Sequence, residues 1–352
     1  MNILFIANEL LQVCGISKHL YHLVDGLQKY YPNNEYFIIT GGGNAIQKFQ
    51  SIGVPVVVNE NLIHQTRSIT GYIKGIKEVY SFVKRNDIQI IHSHHHYSAS
   101  IASKVSKLTL VQTIFTNHGI LRKKGLLNHF NGDHIIAVND KIKKEIARMS
   151  NKHVHLIRTG MSETSKTNKH TNERLRIISG GRMETEKGFE IFIKAIKEIP
   201  LHVRKKADFY IAGSGSLEEE LKLLNNDLNT NISFLGEVVD FQQFLIGTDI
   251  FVMPTVAEYE GLPTVLIEAA LAENLIISSD FFGHTDIINK GNGIIFNKGQ
   301  VSQLAEKLIE AINNFEKYSW YIKNMKIKAT DMFSQHKMIN QTYNLYQQAL
   351  KK

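Results

Sequence analysis

The sequence predicts an α/β fold of two doubly wound, Rossmann-like domains facing each other across a cleft. Three observations carry that expectation. Short apolar runs alternate with stretches of helical periodicity along the chain. The alternation stops once, at residues 162–172, where Ser162-Glu163-Thr164-Ser165-Lys166 opens a polar segment with no apolar period, and then restarts. The length, 352 residues, exceeds what one typical core fills and suits two.

Taken in order, residues 2–7, 36–40, 54–58, 88–91, 112–115 and 134–138 read as strands. Between them Ile16, Leu20, Leu23, Val24 and Leu27 recur at helical spacing, as do Ile73, Ile76, Tyr80 and Val83. Beyond the polar segment, residues 175–179, 209–212, 232–235, 249–253, 275–278 and 294–296 read as a second set of strands, and residues 340–350 as a helical tail. Strands separated by helices argue for parallel sheets covered on both faces. The expected division is a first domain of residues 1–161, onto which a C-terminal helix at about 335–352 packs back, and a second domain of residues 162–334. Ligands of such folds bind beyond the carboxyl ends of the strands.

Composition is that of a soluble globular protein, with 43% apolar and 21% charged residues. No stretch approaches the roughly 18 consecutive apolar residues of a membrane span. The opening Met1-Asn2-Ile3-Leu4-Phe5-Ile6-Ala7 lacks a basic leader and a cleavage site, so it reads as a first strand rather than a signal peptide. A single cysteine, Cys14, excludes an internal disulfide framework and leans towards a cytoplasmic protein. The net charge of +8 is unevenly placed: residues 1–160 hold 19 Lys+Arg against 9 Asp+Glu, a net +10, and the remainder is close to neutral. A basic half attracts an anionic membrane surface or a polyanion, or simply maintains solubility. No basic stripe interleaved with aromatics points to nucleic acid.

The most informative segment is Glu260-Gly261-Leu262-Pro263-Thr264-Val265-Leu266-Ile267-Glu268. Pro263 suits the first turn of a helix, and residues 264–272 read as that helix, with Glu268 just inside it. Glu260 then lies on the preceding loop. The free amides of the helix start favour an anion, so two carboxylates flank an anion site. That combination points to a ligand carrying both phosphate and hydroxyl groups. After the strand at 175–179 come Gly180, Gly181, Arg182, Glu186, Lys187 and Gly188. Glycines there allow a tight turn, and both cations can reach a phosphate or stay solvated. Gly15 stands at a helix entrance after the first strand, where a backbone can approach a phosphate or merely turn. Gly213-Ser214-Gly215 forms another tight turn, and Phe282-Gly283-His284-Thr285-Asp286 a further loop. His92, His94, His95 and His96 are poorly motivated as a metal site, since no acid or cysteine stands at ligand spacing; one of them is expected to pack beneath the cleft and the rest to hydrogen-bond locally. His118, in Thr116-Asn117-His118-Gly119, either binds a hydroxyl group or is a satisfied loop histidine.

Together the Gly15 loop, the Thr116-Asn117-His118-Gly119 turn, Gly181-Arg182 with Glu186-Lys187-Gly188, and Glu260 to Glu268 resemble the retaining glycosyltransferases of family 4, of GT-B architecture. The last of these looks like that family's E-x7-E signature. The resemblance implies that Arg182 and Lys187 hold the diphosphate of a nucleotide-sugar donor, with amides near Gly261, Leu262 and Pro263. It implies that Glu268 accepts the ribose hydroxyls and Glu260 contacts the transferred sugar. Gly15 approaches the diphosphate, Gly213 suits the base or ribose, and His118 lies near sugar and acceptor. It further implies transfer of a hexose or N-acetylhexosamine from a UDP-sugar, with GDP as the other base, to a glycan or lipid-diphosphate-linked acceptor in bacterial-type surface polysaccharide synthesis. Neither cofactor nor metal is implied, and the enzyme is expected in the cytoplasm or peripherally at the inner membrane face. Departures are Cys14 before Gly15, Asn274 where a glycine ends the helix, and His284 and Asp286 in the loop at Gly283. Asn274 is expected to take the left-handed turn. A Rossmann oxidoreductase is disfavoured, because residues 8–17 lack G-x-G-x-x-G. A non-catalytic nucleotide-sugar-binding module would not need all of Arg182, Lys187, Glu260 and Glu268.

Overall fold

The structure, a computed structural model, describes residues 1–119, 132–150, 152–162, 173–257, 263–281, 283 and 287–351. The chain begins β1 (Asn2–Ala7), α1 (Gly15–Tyr30), β2 (Glu35–Thr40), α2 (Ile46–Gln50), β3 (Val56–Val58), α3 (Ile69–Arg85), β4 (Ile90–Ser93) and α4 (His96–Thr109). It continues with β5 (Gln112–Asn117), β6 (His134–Ala137), α5 (Asp140–Met149) and β7 (Val154–Leu156). The second series is β8 (Leu175–Gly180), α6 (Phe189–Glu198), α7 (Leu201–Arg204), β9 (Ala207–Ala212), α8 (Glu218–Leu228), β10 (Ser233–Phe234), α9 (Phe241–Ile246) and β11 (Ile250–Met253). It ends with α10 (Thr264–Leu271), β12 (Leu275–Ser279), β13 (Ile294–Phe296), α11 (Val301–Asn313), α12 (Ser319–Met332) and α13 (Gln335–Leu350).

Two compact units result. Unit 1 comprises Met1–Met161 and Phe333–Lys352, and unit 2 comprises Ser162–Met332. Unit 1 holds a seven-stranded parallel sheet in the order β3-β2-β1-β4-β5-β6-β7, and unit 2 a six-stranded parallel sheet in the order β10-β9-β8-β11-β12-β13. The central strands are continuous apolar runs because helices cover both faces. In β1, every residue from Ile3 to Ala7 is buried.

In unit 1, α1 turns Leu20, Leu23, Val24 and Leu27 onto one face of the sheet, and α3 and α4 cover the other. Side-chain caps start several helices: Ser68 Oγ accepts the N–H of Gly71 at 3.0 Å, and Asn139 Oδ1 that of Ile142 at 2.7 Å. The last helix, α13, joins this unit. A β-carbon on Gly26 of α1 would stand 1.9 Å from Ile339 Cδ1, so the bare glycine leaves room for that side chain in the crossing. Tyr31 stacks on Tyr343 with ring centres 3.5 Å apart, and the Tyr31 hydroxyl donates to Asn340 Oδ1 at 2.9 Å.

One strand is added and three local expectations change. The edge strand β7 is not legible as an apolar run, because Val154-His155-Leu156 is short and half-buried. On α3 the buried face is Gly75, Val79 and Val83, whereas Ile73 is 61% exposed. Gly75 lets α3 approach Ile101 of α4, which rotates the stripe away from Ile73. Asn274 does not take the left-handed turn after α10; Glu273 does, at φ +59. The Asn274 amide is instead committed to the carbonyls of Leu245 and Thr248, which close the end of α9. Pro263 is the cap residue before α10 rather than a member of its first turn. Residues 163–172 of the expected linker lie outside the described residues.

Leu110 ends α4 in the left-handed region, at φ +61, and is 87% exposed. Left-handed backbone costs a β-carbon-bearing residue roughly 1–2 kcal/mol, and this side chain packs little in return. Leu110→Gly is expected to stabilise the chain by about 0.5–1 kcal/mol, as read by urea unfolding.

Candidate active site

Each sheet reverses its strand order once. In unit 2 the chain steps outward from β8 through β9 to β10, then returns to the other side of β8 as β11. Connections therefore diverge beyond the carboxyl ends of β8 and β11, which is where open α/β sheets form ligand crevices. The loop after β8 carries Gly181 at φ +149, then the exposed Arg182 and the fully buried Met183. A 3₁₀ turn at Thr185–Lys187 follows, and Gly188 closes it at φ +68. A β-carbon on Gly188 would lie 2.0 Å from the carbonyl oxygen of Pro254, immediately after β11. The Glu186 carbonyl accepts Thr255 Oγ1–H at 2.6 Å and the N–H groups of Val256 and Ala257 at 2.9 and 3.2 Å. The two switch-point loops are thus bound backbone to backbone.

The loop after β9 is locked to the same structure. A β-carbon on Gly213, at φ +127, would stand 1.9 Å from Gly181 O, and Met183 N–H donates to Ser214 O at 2.8 Å. Gly213 therefore has a packing reason for its missing side chain. Glu268 is the fifth of the eight residues of α10, deeper than its expected place near the helix start. It is 3% exposed, beside the fully buried Ile267, Ala269 and Ala270. Among the described residues no side chain caps α10. Glu260, Gly261 and Leu262 lie outside the described residues, as do Phe282, His284, Thr285 and Asp286.

In unit 1 the reversal falls between β1 and β4. Gly15 is the first residue of α1, behind an extended Cys14, and no side chain caps that helix start. Ser17 Oγ accepts the N–H of Leu11 at 2.9 Å and so folds the loop back onto the helix. His94 leaves β4 with its Nδ1 3.2 Å from His118 Nε2, which leaves β5. His19, on the buried face of α1, sets its ring 4.6 Å from that of His118 and 5.5 Å from that of His94. Its Nδ1 is paired with Thr159 Oγ1 at 3.1 Å. Of the histidine run, His92 is packed inward. That residue lies inside β4, with Nδ1 2.7 Å from the Tyr346 hydroxyl and Nε2 2.7 Å from Thr116 Oγ1. His95 Nδ1 accepts the N–H of Asn8 at 3.2 Å. Sequence reasoning missed His19 and Thr159. The available signal was position 19 itself, three residues from Ile16 and four from Leu23 on the apolar face of a helix.

Burial sets the charge of this cluster. Desolvation pushes His19 and His92 down to about 3, with the neighbouring His22 and His19, respectively, lowering them further. Desolvation likewise holds His94 and His118 well below the ordinary imidazole value, and their histidine neighbours add to it. The imidazoles are therefore neutral at pH 7.

A family model described as "Glycosyl transferases group 1" matches residues 161–328, and one described as "Glycosyltransferase Family 4" matches residues 13–164. The chain belongs to the family 4, group 1 glycosyltransferases. This glycosyltransferase is 24% identical to an uncharacterized glycosyltransferase, MJ1178, of Methanocaldococcus jannaschii over 86% of either chain. It is 29% identical, over 44% of either chain, to a Campylobacter jejuni enzyme named as an α-1,4-N-acetyl-D-galactosaminyltransferase acting on GalNAc-α-(1->4)-GalNAc-α-(1->3)-diNAcBac-PP-undecaprenol. Its structure resembles that of Anabaena HepE in complex with UDP-glucose, with a TM-score of 0.79 at 16% identity over 99% of this chain and 100% of that one. The two parallel α/β units of the glycosyltransferase are those of the GT-B fold.

Two outcomes follow for the glycosyltransferase. Gly213→Ala forces a β-carbon onto a backbone carbonyl at a left-handed φ, and is expected to destabilise unit 2 by about 2–4 kcal/mol in urea unfolding. For the buried imidazoles the folded value lies below the unfolded value of 6.5, so between the two only the unfolded chain takes protons. Stability is fully present above about pH 6.5 and falls as pH drops towards the folded values. Denaturant unfolding should show a loss of roughly 1 kcal/mol per pH unit for each such imidazole between about pH 6 and 4.

Proposed function

We propose that this chain is a retaining, metal-independent transferase that moves a hexose or N-acetylhexosamine from a UDP-sugar to a glycan or lipid-diphosphate-linked acceptor. The observation that carries the reading is the switch point of unit 2. There the β8 loop bears Arg182 and Lys187, the β11 loop is bound to it, and the chain leaving β11 returns as α10 with the buried Glu268. Cations on one loop and a carboxylate in the adjoining helix suit a ligand with a diphosphate at one end and vicinal hydroxyls at the other.

In this reading Arg182 and Lys187 take up the charge that develops on the leaving diphosphate, with the first amides of α10 adding N–H donors. Glu268 accepts the ribose hydroxyls. Glu260 contacts the hydroxyls of the transferred sugar, which leaves no carboxylate to form a covalent intermediate beneath the anomeric carbon. The acceptor then attacks on the face that the diphosphate leaves, and the leaving phosphate takes its proton. Gly15, at the open start of α1, approaches the diphosphate, and His118 serves the sugar and acceptor from unit 1. HepE, described with UDP-glucose, supports the donor class, and the Campylobacter enzyme's polyprenyl-diphosphate substrate supports the acceptor class. On α5, Lys143, Lys144 and Arg148 are exposed while Ile142 and Ile146 are buried, which supports a basic face towards an anionic membrane in surface polysaccharide synthesis.

The test is a panel of UDP-, GDP- and ADP-sugars, with release of nucleoside diphosphate measured with and without a polyprenyl-diphosphate-linked glycan. Release from a UDP-sugar that the acceptor accelerates is the expected result. Each charged hydrogen bond contributes on the order of 1.5–3 kcal/mol, so Arg182→Ala combined with Lys187→Ala should lower kcat/KM by about 10²–10⁴-fold. A double variant as active as the wild type would remove the leaving-group role, and near-normal turnover by Glu260→Gln would remove that residue from the sugar site.

A further inference from the structure

His94 and His118 share one hydrogen bond, and its direction decides which nitrogen of His118 carries the proton. His94 follows β4 and His118 follows β5, with His94 Nδ1 3.2 Å from His118 Nε2. A neutral imidazole has one N–H donor and one bare acceptor nitrogen, so one of the two facing nitrogens donates and the other accepts.

The far side of the His94 ring points to the direction. Its Nε2 is buried and has no hydrogen-bond partner. His92, stacked on it with ring centres 4.5 Å apart, has both nitrogens engaged by Tyr346 and Thr116. His19, with its ring centre 5.5 Å away, has its Nδ1 engaged by Thr159. Phe5 borders the ring at 6.2 Å and presents no lone pair. A proton on His94 Nε2 would leave a buried N–H without an acceptor, which folded chains rarely tolerate; a bare nitrogen there costs less. The proton of His94 therefore belongs on Nδ1, facing His118. The residue itself is fixed, since its backbone N–H donates to Ile6 O of β1 at 3.1 Å. Burial keeps both rings neutral, so neither carries a second proton at pH 7.

We propose that His94 is a positioning residue that locks the tautomer of His118: His94 Nδ1–H donates to His118 Nε2, and His118 carries its own proton on Nδ1. His118 is only partly buried, and its Nδ1 makes no hydrogen bond among the described residues. It therefore presents an N–H donor to an oxygen of the sugar or acceptor. Its Nε2 lone pair is occupied by His94, so His118 is not the base that takes the acceptor proton. The inference rests on the proposed place of His118 beside sugar and acceptor, and it assigns that residue a donor's part there.

The experiment begins with a long-range ¹H–¹⁵N spectrum of the full chain, ¹⁵N-labelled in histidine and free of ligand, above about pH 7, where these rings are neutral. The spectra of His118→Asn and His94→Phe assign the two rings. Both are expected to show a protonated Nδ1 and a bare Nε2. In His94→Phe, which keeps a ring to stack on His92 and His118 but offers no donor, His118 should become a mixture of tautomers. A wild-type His118 with its proton on Nε2, or a tautomer unchanged in His94→Phe, overturns the lock. The wild-type spectrum decides even if the buried variant fails to fold. Turnover of a UDP-sugar with a polyprenyl-diphosphate-linked glycan then tests the donor role. His118→Gln, whose amide reaches towards His94, should lower kcat/KM by about 10–10²-fold, as the loss of a hydrogen-bond partner does. His118→Asn, whose amide N–H stands at the place of Nδ1, should recover most of that loss. The reverse order assigns the ligand-facing role to Nε2 and overturns the proposal. Full activity in both variants removes His118 from the substrates and overturns the donor role together with the reading it rests on, whereas the lock is judged by the spectrum alone.

Discussion

A carbonyl oxygen occupies the space that a side chain on Gly188 would need. That contact between Gly188 and Pro254 holds the loop after β8 against the loop after β11, and the remainder of the unit 2 site depends on it. Backbone can meet backbone at this distance only where no β-carbon intervenes, so the glycine is a geometric requirement. Gly213 against Gly181 repeats the device one strand over. With three loops joined in this way, the backbone that carries Arg182 and Lys187 is held from both neighbouring loops, the support that the proposed leaving-group role calls for.

Unit 1 solves the corresponding problem with neutral groups. Its switch point holds histidines instead of the cations and carboxylate found in unit 2. Charging any of these rings would require a buried cation with few compensating acceptors, and desolvation keeps them neutral instead. The anchor of the arrangement comes from the far end of the chain. Tyr346, fully buried on α13, takes one nitrogen of His92, while Thr116 takes the other. The C-terminal helix is thus part of the support beneath the histidines as well as part of the hydrophobic core.

Family membership and site detail rest on different physics. Membership follows from two chain segments whose patterns are spread over 13–164 and 161–328. Substrate choice in a shared fold is a matter of loop side chains, and His284 and Asp286 depart in sequence from what the family resemblance implies. The sheets therefore say much about where a ligand binds and little about which sugar it carries.

The sequence by itself determined the strand and helix alternation. Buried parallel strands must be apolar along their whole length, so Asn2–Ala7 and Ile294–Phe296 were readable to the residue. It also marked Arg182, Lys187 and Glu268 as candidates, because charged residues interrupt the apolar pattern there. Tertiary structure decided what periodicity cannot carry. It chose Gly75 over Ile73 for the buried face of α3, since the close approach to Ile101 sets the rotation of that helix. It gave the left-handed turn to Glu273 because the Asn274 amide was needed by the carbonyls of Leu245 and Thr248. It also assembled His19, His94 and His118, which stand up to 99 positions apart in the chain. Local spacing records only neighbours along the chain, whereas a buried cluster is defined by where separate strands end in space.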